Sequence, residues 1–451
     1  MKKLFFAITM LFAGCVQNFS DVSVNVISDT NNDMTHVERA KRVVLKMLNQ
    51  IDSQTRGSVR EIASVEVITF DQIFKNSTRS DSSATNPTLD SLIVTQHPAL
   101  YIVNLEDNEG TAVVEVPVFI GGEQTVVDTT STNDGKLLFI TDTTLGNTDK
   151  IISDGTNTDT DDTSGSTTLG PDISEQEQFL SSLVVDYLEK KYTNDGGYTE
   201  DTSSNSLDEL CSGSVGPLLT TLWHQDMPFN AYLPEYYDEY NYLCHYLAGC
   251  ATIAVAQFLV YTKDISLSDV FNIENFTWDT IEHIEFKHPY EYYFNPEYLS
   301  QNNGYCLANL IKQIGDGIGV TYGKKESTAK TRQVKRYLSS LGYNVTKYNL
   351  NNDNKYYIIN SLLHYKRPVI MRGQEDSDVG HMWLIDGYRL EETCSNDYYL
   401  HCNYGWNAGA GNGWYYWNLF NSKKDNKREL DDVKEKDDFN YNSYCQFLIV
   451  E

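Results

Sequence analysis

Apolar side chains recur at helical spacing from Val37 onward, through Ala40, Val43, Val44, Met47, Leu48 and Ile51. The pattern predicts an amphipathic helix over 35–51, with Thr35 as N-cap and Glu38 three residues later. Short apolar runs then replace the helical period. Ala99–Asn104 and Thr111–Val116 read as two strands joined by the hairpin-type loop Leu105–Gly110, and Leu137–Ile140 as a third strand. A small α+β domain is expected here. Helical spacing returns at 173–192 through Phe179, Leu183, Val184 and Leu188. After Pro217 the chain turns aromatic and dense in apolar segments.

Two polar stretches separate these blocks. In Ser153–Pro171, 17 of 19 residues are Ser, Thr, Asn, Asp or Gly, too few apolar groups to offset chain entropy, so the segment reads as a linker. Asp159, Asp161 and Asp162 lack the spacing, central Gly and closing Glu of a calcium loop. The second stretch, 193–216, contains Gly196-Gly197 and Ser203-Ser204, the kind of exposed sequence in which proteases cut. Aromatic content follows the same division: all six Trp and 27 of 31 Tyr lie after residue 216.

The N-terminus reads as an export signal. Met1-Lys2-Lys3 precedes a short apolar run ending in Ala13-Gly14-Cys15, too short to remain as a membrane-spanning helix. The ending resembles a bacterial lipobox, with Phe12 where Leu is favoured, and implies lipidation of Cys15 after cleavage. An ordinary signal peptide with an incidental Cys15 is the alternative. Outside the cell, a formal charge of −28, from 63 acidic against 35 basic residues, suits solubility and argues against nucleic acid as a partner. Seven cysteines remain after Cys15, an odd number. No CxxC or HExxH motif supports a zinc site, so no metal or other cofactor is expected. Cys394 and Cys402 flank a predicted strand and could pair.

Candidate chemistry is concentrated in 217–451. In Leu247–Gln257, Cys250 follows Gly249 at the head of an apolar, small-residue helix, where the macrodipole and unpaired N–H groups favour a thiolate. A buried inert thiol is the competing reading. Farther on, Gly380-His381 opens a strand that runs to a turn at Asp386-Gly387, and Leu400–Trp406 follows. Cys, then a His about 130 residues later, then an Asn/Trp segment is the papain-like order of parts. A thiol nucleophile needs such a base held close, with its ring fixed by packing or a hydrogen bond. Gln225, upstream, is an amide donor suited to an oxyanion hole.

These features occur within a longer series of motifs that resembles the streptopain family of papain-like cysteine peptidases. Trp223–Asn230 resembles the family's W-x-Q-x-x-P-[YF]-N, and Ala248-Gly249-Cys250 its nucleophile motif, with Gln257 in the usual downstream place. Thr277-Trp278-Asp279, Val320–Gly323 with Ser327, and Arg367–Ile370 before Gly380-His381 continue the series. The resemblance implies an α+β fold: a papain-like peptidase of two subdomains, one helical and one an antiparallel sheet, preceded by a small α+β inhibitory pro-domain. It implies Cys250 as nucleophile and His381 as proton acceptor, paired as thiolate and imidazolium, with Gln225 in the oxyanion hole. Asn403 and Trp406 would orient or cover the imidazole, and Tyr322, Gly323, Ser327, Gly380 and Tyr404 would line the cleft. Tyr404 stands where the family has Trp. His245 is expected to be structural or to line the cleft, because His381 alone is placed on a strand. The Tyr-rich run Tyr232–Tyr246 is expected to be packed surface.

The implied organisation is a signal at 1–15, pro-domain at 16–152, linker at 153–172, pro-region helix at 173–192, activation segment at 193–216 and peptidase at 217–451. Cys211 would leave with the propeptide. The expected function is a secreted or surface-anchored endopeptidase zymogen of a Bacteroides-type bacterium. Its partners would be protein or peptide substrates, its own pro-domain as inhibitor and a lipid anchor at Cys15. The alternatives are a silent surface lipoprotein that binds host protein on the same fold, and an acyl transferase using the same dyad.

Overall fold

A computed structural model describes the chain from residue 36 to 451 with interruptions, the longer ones being 74–97, 127–134, 143–179, 193–213, 375–379, 391–397 and 421–444. The expectations for the leader and Cys15, for Thr35, for the linker and for Cys211 and Cys394 fall outside the described residues. Contacts divide the chain into two units.

The first unit gathers described residues from Met1–Thr163, Ile173–Glu200 and Gly413–Leu419. Its helix α1 (His36–Thr55) runs one turn beyond the expected end. The predicted stripe is the buried one: Ala40, Val44, Met47, Leu48 and Ile51 are all within 5 % of complete burial. Strand β1 (Ile62–Thr69) pairs antiparallel with β2 (Pro98–Leu105). Next to β2 lies β3 (Thr111–Glu115), reached through the predicted loop, which closes as a short 3-10 turn over Glu106–Asn108. A small pair, β4 (Phe119–Gly121) and β5 (Gln124–Val126), precedes β6 (Lys136–Thr141), which pairs with β3.

Arg60 fastens this unit at a buried point. Its guanidinium meets the Asp52 carboxylate at 3.0 Å and donates to the carbonyls of Glu109 and Thr141 at 2.8 and 2.9 Å. Helix, hairpin loop and the end of β6 therefore share one cation. A second fastening holds the helical residues between 180 and 192. Tyr187 and Tyr192 donate to Glu115 at 2.8 and 3.1 Å, and the Lys191 ammonium lies 2.8 Å from the same carboxylate.

The second unit comprises Ser164–Asp172, Asp201–Asn412 and Phe420–Glu451. A short hairpin, β7 (Glu235–Tyr237) and β8 (Leu243–His245), leads into helix α2 (Cys250–Thr262). Residues 251–260 of α2 are all buried, as expected of a helix apolar on every side. Helices α3 (Gly304–Ile318), α4 (Thr331–Ser340) and α5 (Lys355–Tyr365) alternate with the start of a sheet, β9 (Val345–Asn349) preceding α5. Strand β10 (Val369–Gln374) pairs with β11 (Gly380–Leu390), and β11 with β12 (Tyr398–Asn403). Beyond β12 the chain supplies β13 (Gly413–Tyr416), which belongs to the first unit and pairs with β6. Finally, β14 (Gln446–Val450) lies between β10 and β9. Ile370, Met382, Leu384 and Leu448 of this sheet share one core with α2 and α3.

Two expectations are corrected. Strand β11 does not stop at a turn at Asp386-Gly387. Its register shifts between Ile385 and Gly387, a bulge that absorbs the extra residue and lets the strand continue to Leu390. His381 is also not alone on a strand, since His245 ends β8 and His401 lies in β12. The architecture is mixed α+β, with antiparallel sheets and packed helices.

The Arg60 fastening gives a stability prediction. Asp52→Ala leaves a buried guanidinium without its carboxylate and is expected to cost about 3–5 kcal/mol. Urea unfolding followed through the first unit measures it, and a loss below about 1 kcal/mol would contradict the assigned role.

Candidate active site

Cys250 is the first residue of α2, and the turn before it is built around Gly249 at φ +88°. A side chain at Gly249 would be strained at that φ, and its Cβ would press on Ser327 at 3.2 Å. Ser327 explains the close approach. Its hydroxyl donates to the Leu247 carbonyl at 2.6 Å and accepts the Gly323 N–H at 2.9 Å, while Leu247 N–H donates to the Gly323 carbonyl at 3.1 Å. A bridge between Thr321 and Thr328 closes this loop. Tyr322 is turned toward Asp316, to which it donates at 3.2 Å. Gly323 and Ser327 thus hold the nucleophile turn, a role more definite than lining a cleft.

Burial pushes the Cys250 thiol up. The backbone N–H groups of Met382, Ala251 and Cys250 and the Arg372 charge act against that shift. The Met382 contact brings α2 to β11 at the residue after His381. Gly380, on the other side of His381, lies against Arg372: a Cβ there would be 3.1 Å from the guanidinium.

His381 is 8 % exposed, and its Nε2 donates to the Tyr404 carbonyl at 2.7 Å. A carbonyl only accepts, so the neutral ring carries its proton on Nε2 and Nδ1 is the basic nitrogen. Burial draws the imidazole down to about 4, with the Tyr404 hydrogen bond opposing. Burial thus acts on each member toward its neutral form. Trp406 covers the imidazole at 4.8 Å between centroids, Trp383 lies parallel at 6.2 Å, and Tyr404 stacks on Trp406 at 4.6 Å.

Asn403 is placed differently from the expectation that it orients His381. Its Nδ2 donates to the Thr221 carbonyl at 2.8 Å, and its Oδ1 accepts from Gln257 Nε2 and Gly405 N–H, both at 3.2 Å. The orienting hydrogen bond comes instead from the backbone of the next residue, Tyr404. Gln257, buried within α2, also accepts from the Thr221 hydroxyl at 2.8 Å and the Trp223 N–H at 3.4 Å. Gln225 follows two residues later, 6 % exposed, and its carbonyl accepts the Ala248 N–H at 2.9 Å. The loop carrying the oxyanion candidate is therefore tied to the turn carrying the nucleophile.

The remaining histidines have other surroundings. His245 Nδ1 bonds the Leu233 carbonyl at 3.1 Å, and His224 packs edge-on against Phe229. His401 Nδ1 lies 2.6 Å from Asp386, a buried pair that nothing in the motifs signalled. In the Tyr-rich run, Tyr232 stacks on Tyr305 and Tyr236 packs on Tyr246, while Tyr237 is exposed. Cys402 is a free buried thiol. Among the described residues, no group of three or more His, Cys, Asp or Glu is placed to hold a metal.

Comparison with known proteins adds to this geometry. No curated protein matches the chain. Among solved structures, a Prevotella intermedia prointerpain A fragment is similar, with TM-score 0.47 and 16 % identity over 86 % of this chain and 98 % of that one. Active wild-type interpain A cysteine protease from the same organism gives TM-score 0.35 and 20 % identity over 52 % of this chain and 94 % of that one. The Peptidase C10 family model matches residues 223–415, the stretch that holds Gln225, Cys250, His381 and Trp406.

Proposed function

We propose that the chain is a cysteine endopeptidase made as a zymogen, with Cys250 as nucleophile and His381 as general base. The observation that carries the reading is the packing of Cys250, at the head of α2, against the core that contains Met382, the residue after a histidine whose tautomer Tyr404 fixes. In the first step the thiol proton passes to His381 Nδ1 as sulfur attacks the substrate carbonyl. Gln225 and the Cys250 N–H receive the developing oxyanion. The imidazolium then protonates the leaving amine, giving a thioester and a free amino terminus. Water attacks the thioester, returning its proton through His381, and the carboxylate product departs.

Latency completes the reading. Residues 16–152, with the linker 153–172 and the helix 173–192, act as a tethered inhibitor, whose high effective concentration follows from covalent attachment. Cleavage in 193–216 releases the peptidase, with its mature chain starting near Ser214–Pro217. The substrates are proteins or peptides. Met1–Cys15 supports export, and Cys15 supports a lipid anchor at the outer membrane or cell surface of a Bacteroides-type bacterium.

Cys250→Ala is expected to abolish hydrolysis of a denatured protein substrate and any self-processing of the full chain, both visible on gels. Turnover by the Cys250→Ala protein at the wild-type rate would overturn the assignment. A second prediction concerns acid. An unfolded histidine takes up its proton near pH ~6.5, whereas folded His381 does so only at about 4. Between these values the unfolded chain binds more protons, so His381 makes stability fall as pH drops through the window and stops contributing below it. His381→Gln should show a shallower fall in urea midpoint across that window, and an unchanged slope would contradict the buried neutral imidazole.

A further inference from the structure

The segment leading into Gln225 is pinned to the sheet by a carboxylate that the reaction does not use. Val215 and Tyr388 exchange backbone hydrogen bonds at 2.9 and 2.8 Å. Gly216, at φ +86°, follows so closely that a Cβ would fall 2.3 Å from the Asp386 carbonyl oxygen. Leu218 N–H donates to that carbonyl at 2.9 Å, and Leu219 N–H to Asp386 Oδ2 at 3.0 Å. The other carboxylate oxygen, Oδ1, accepts a hydrogen bond from His401 Nδ1 at 2.6 Å. Asp386 is completely buried and His401 4 % exposed. The bulge in β11 is located at Asp386 as well, so the register shift and the carboxylate's role coincide.

From there the chain runs as a strap to the nucleophile turn. Thr220 bonds Glu282, Thr221 and Trp223 reach Gln257, and the Gln225 carbonyl takes the Ala248 N–H. These holds are unequal. The Trp223 hydrogen bond is 3.4 Å long and constrains little. The Asp386 contacts are short or charge-assisted, and a carboxylate oriented by a second buried group holds its donors more firmly. The Thr221 hydroxyl on Gln257 and the Thr221 carbonyl on Asn403, both at 2.8 Å, secure the middle of the strap, and Asp386 secures its start.

We propose that Asp386, oriented by His401, is a positioning residue for Gln225: it fixes the strap from Val215 to Gln225 on β11 and so places the side-chain amide at the oxyanion. The proposal rests on the reading of Gln225 as oxyanion donor. The same contacts give residues 215–219 a function in the active enzyme, so activation must leave them attached to the peptidase.

The test measures kcat and KM on a peptide amide, alongside the rate of Cys250 alkylation by iodoacetamide, a reaction with no oxyanion. Wild type, Asp386→Ala, Gln225→Ala and the double variant are made as full chains and converted in parallel by added wild-type enzyme. Asp386→Ala is expected to lower kcat about 10- to 30-fold, a fraction of the loss for deleting an oxyanion donor, with KM within about twofold. Alkylation should stay within about twofold. In the Gln225→Ala background the same substitution should cost less than about threefold, since the group it positions is gone. Equal loss in both backgrounds, unchanged kcat, or parallel loss of kcat and alkylation would overturn the proposal. Full kcat in Gln225→Ala would instead remove the oxyanion reading beneath it, and the two failures are separable because each single variant is measured. Should Asp386→Ala fail to fold, Asp386→Asn keeps an acceptor for Leu219 and loses the charge facing His401. It is expected to lose about three- to fivefold in kcat, again only when Gln225 is present, and loss independent of Gln225 overturns the proposal.

Discussion

A glutamine inside an apolar helix is the constraint around which the second unit is organised. Gln257 is completely buried within α2, and a buried amide without partners costs on the order of 1–3 kcal/mol. Its partners come from two other parts of the chain: Thr221 and Trp223 on one side, Asn403 on the other. Asn403 closes the ring by donating to the Thr221 carbonyl. Satisfying one side chain thus brings together the segment before the nucleophile, the helix that carries it, and the segment after β12. Each of these carries a working group only a few residues away: Gln225, Cys250, and Tyr404 with Trp406.

That arrangement explains why the imidazole is oriented by a backbone carbonyl. Asn403 is committed to holding segments together, so the next residue supplies the acceptor for His381 Nε2. A backbone acceptor is insensitive to side-chain identity at its own position. The Tyr404 side chain therefore supplies a stacking surface to Trp406 while its carbonyl supplies the orienting hydrogen bond. Burial draws the pKa of the ring, packed by Trp406, Trp383 and Tyr404, down and pushes that of the thiol up.

Local patterns were legible in the sequence. The stripe from Val37 to Ile51, the β2–β3 hairpin and the all-apolar helix after Cys250 could be read because each depends on residues within a few turns or one loop. Chemistry-bearing motifs were legible too, since Cys250, His381 and Trp406 stand in recognisable neighbourhoods. Long-range pairings were not. Nothing near His401 announces Asp386, fifteen residues away on another strand. Nothing in Gly413–Tyr416 announces pairing with β6, nearly three hundred residues earlier. The course of β11 past Gly387 was misread for a related reason: Asp-Gly is a turn signal locally, and only the neighbouring strand shows it to be a bulge. Gln257 was the one clue available in advance, a polar residue in a helix with no polar face.

The central claim is that Cys250 and His381 form one reactive centre. Covalent labelling of the converted chain with a peptidyl epoxide, followed by tandem mass spectrometry, tests it most directly. The account predicts a single adduct, on Cys250, that fails to form when His381 is replaced by Gln. Labelling of another cysteine in a sample that hydrolyses substrate, or equal labelling of Cys250 without His381, would contradict it.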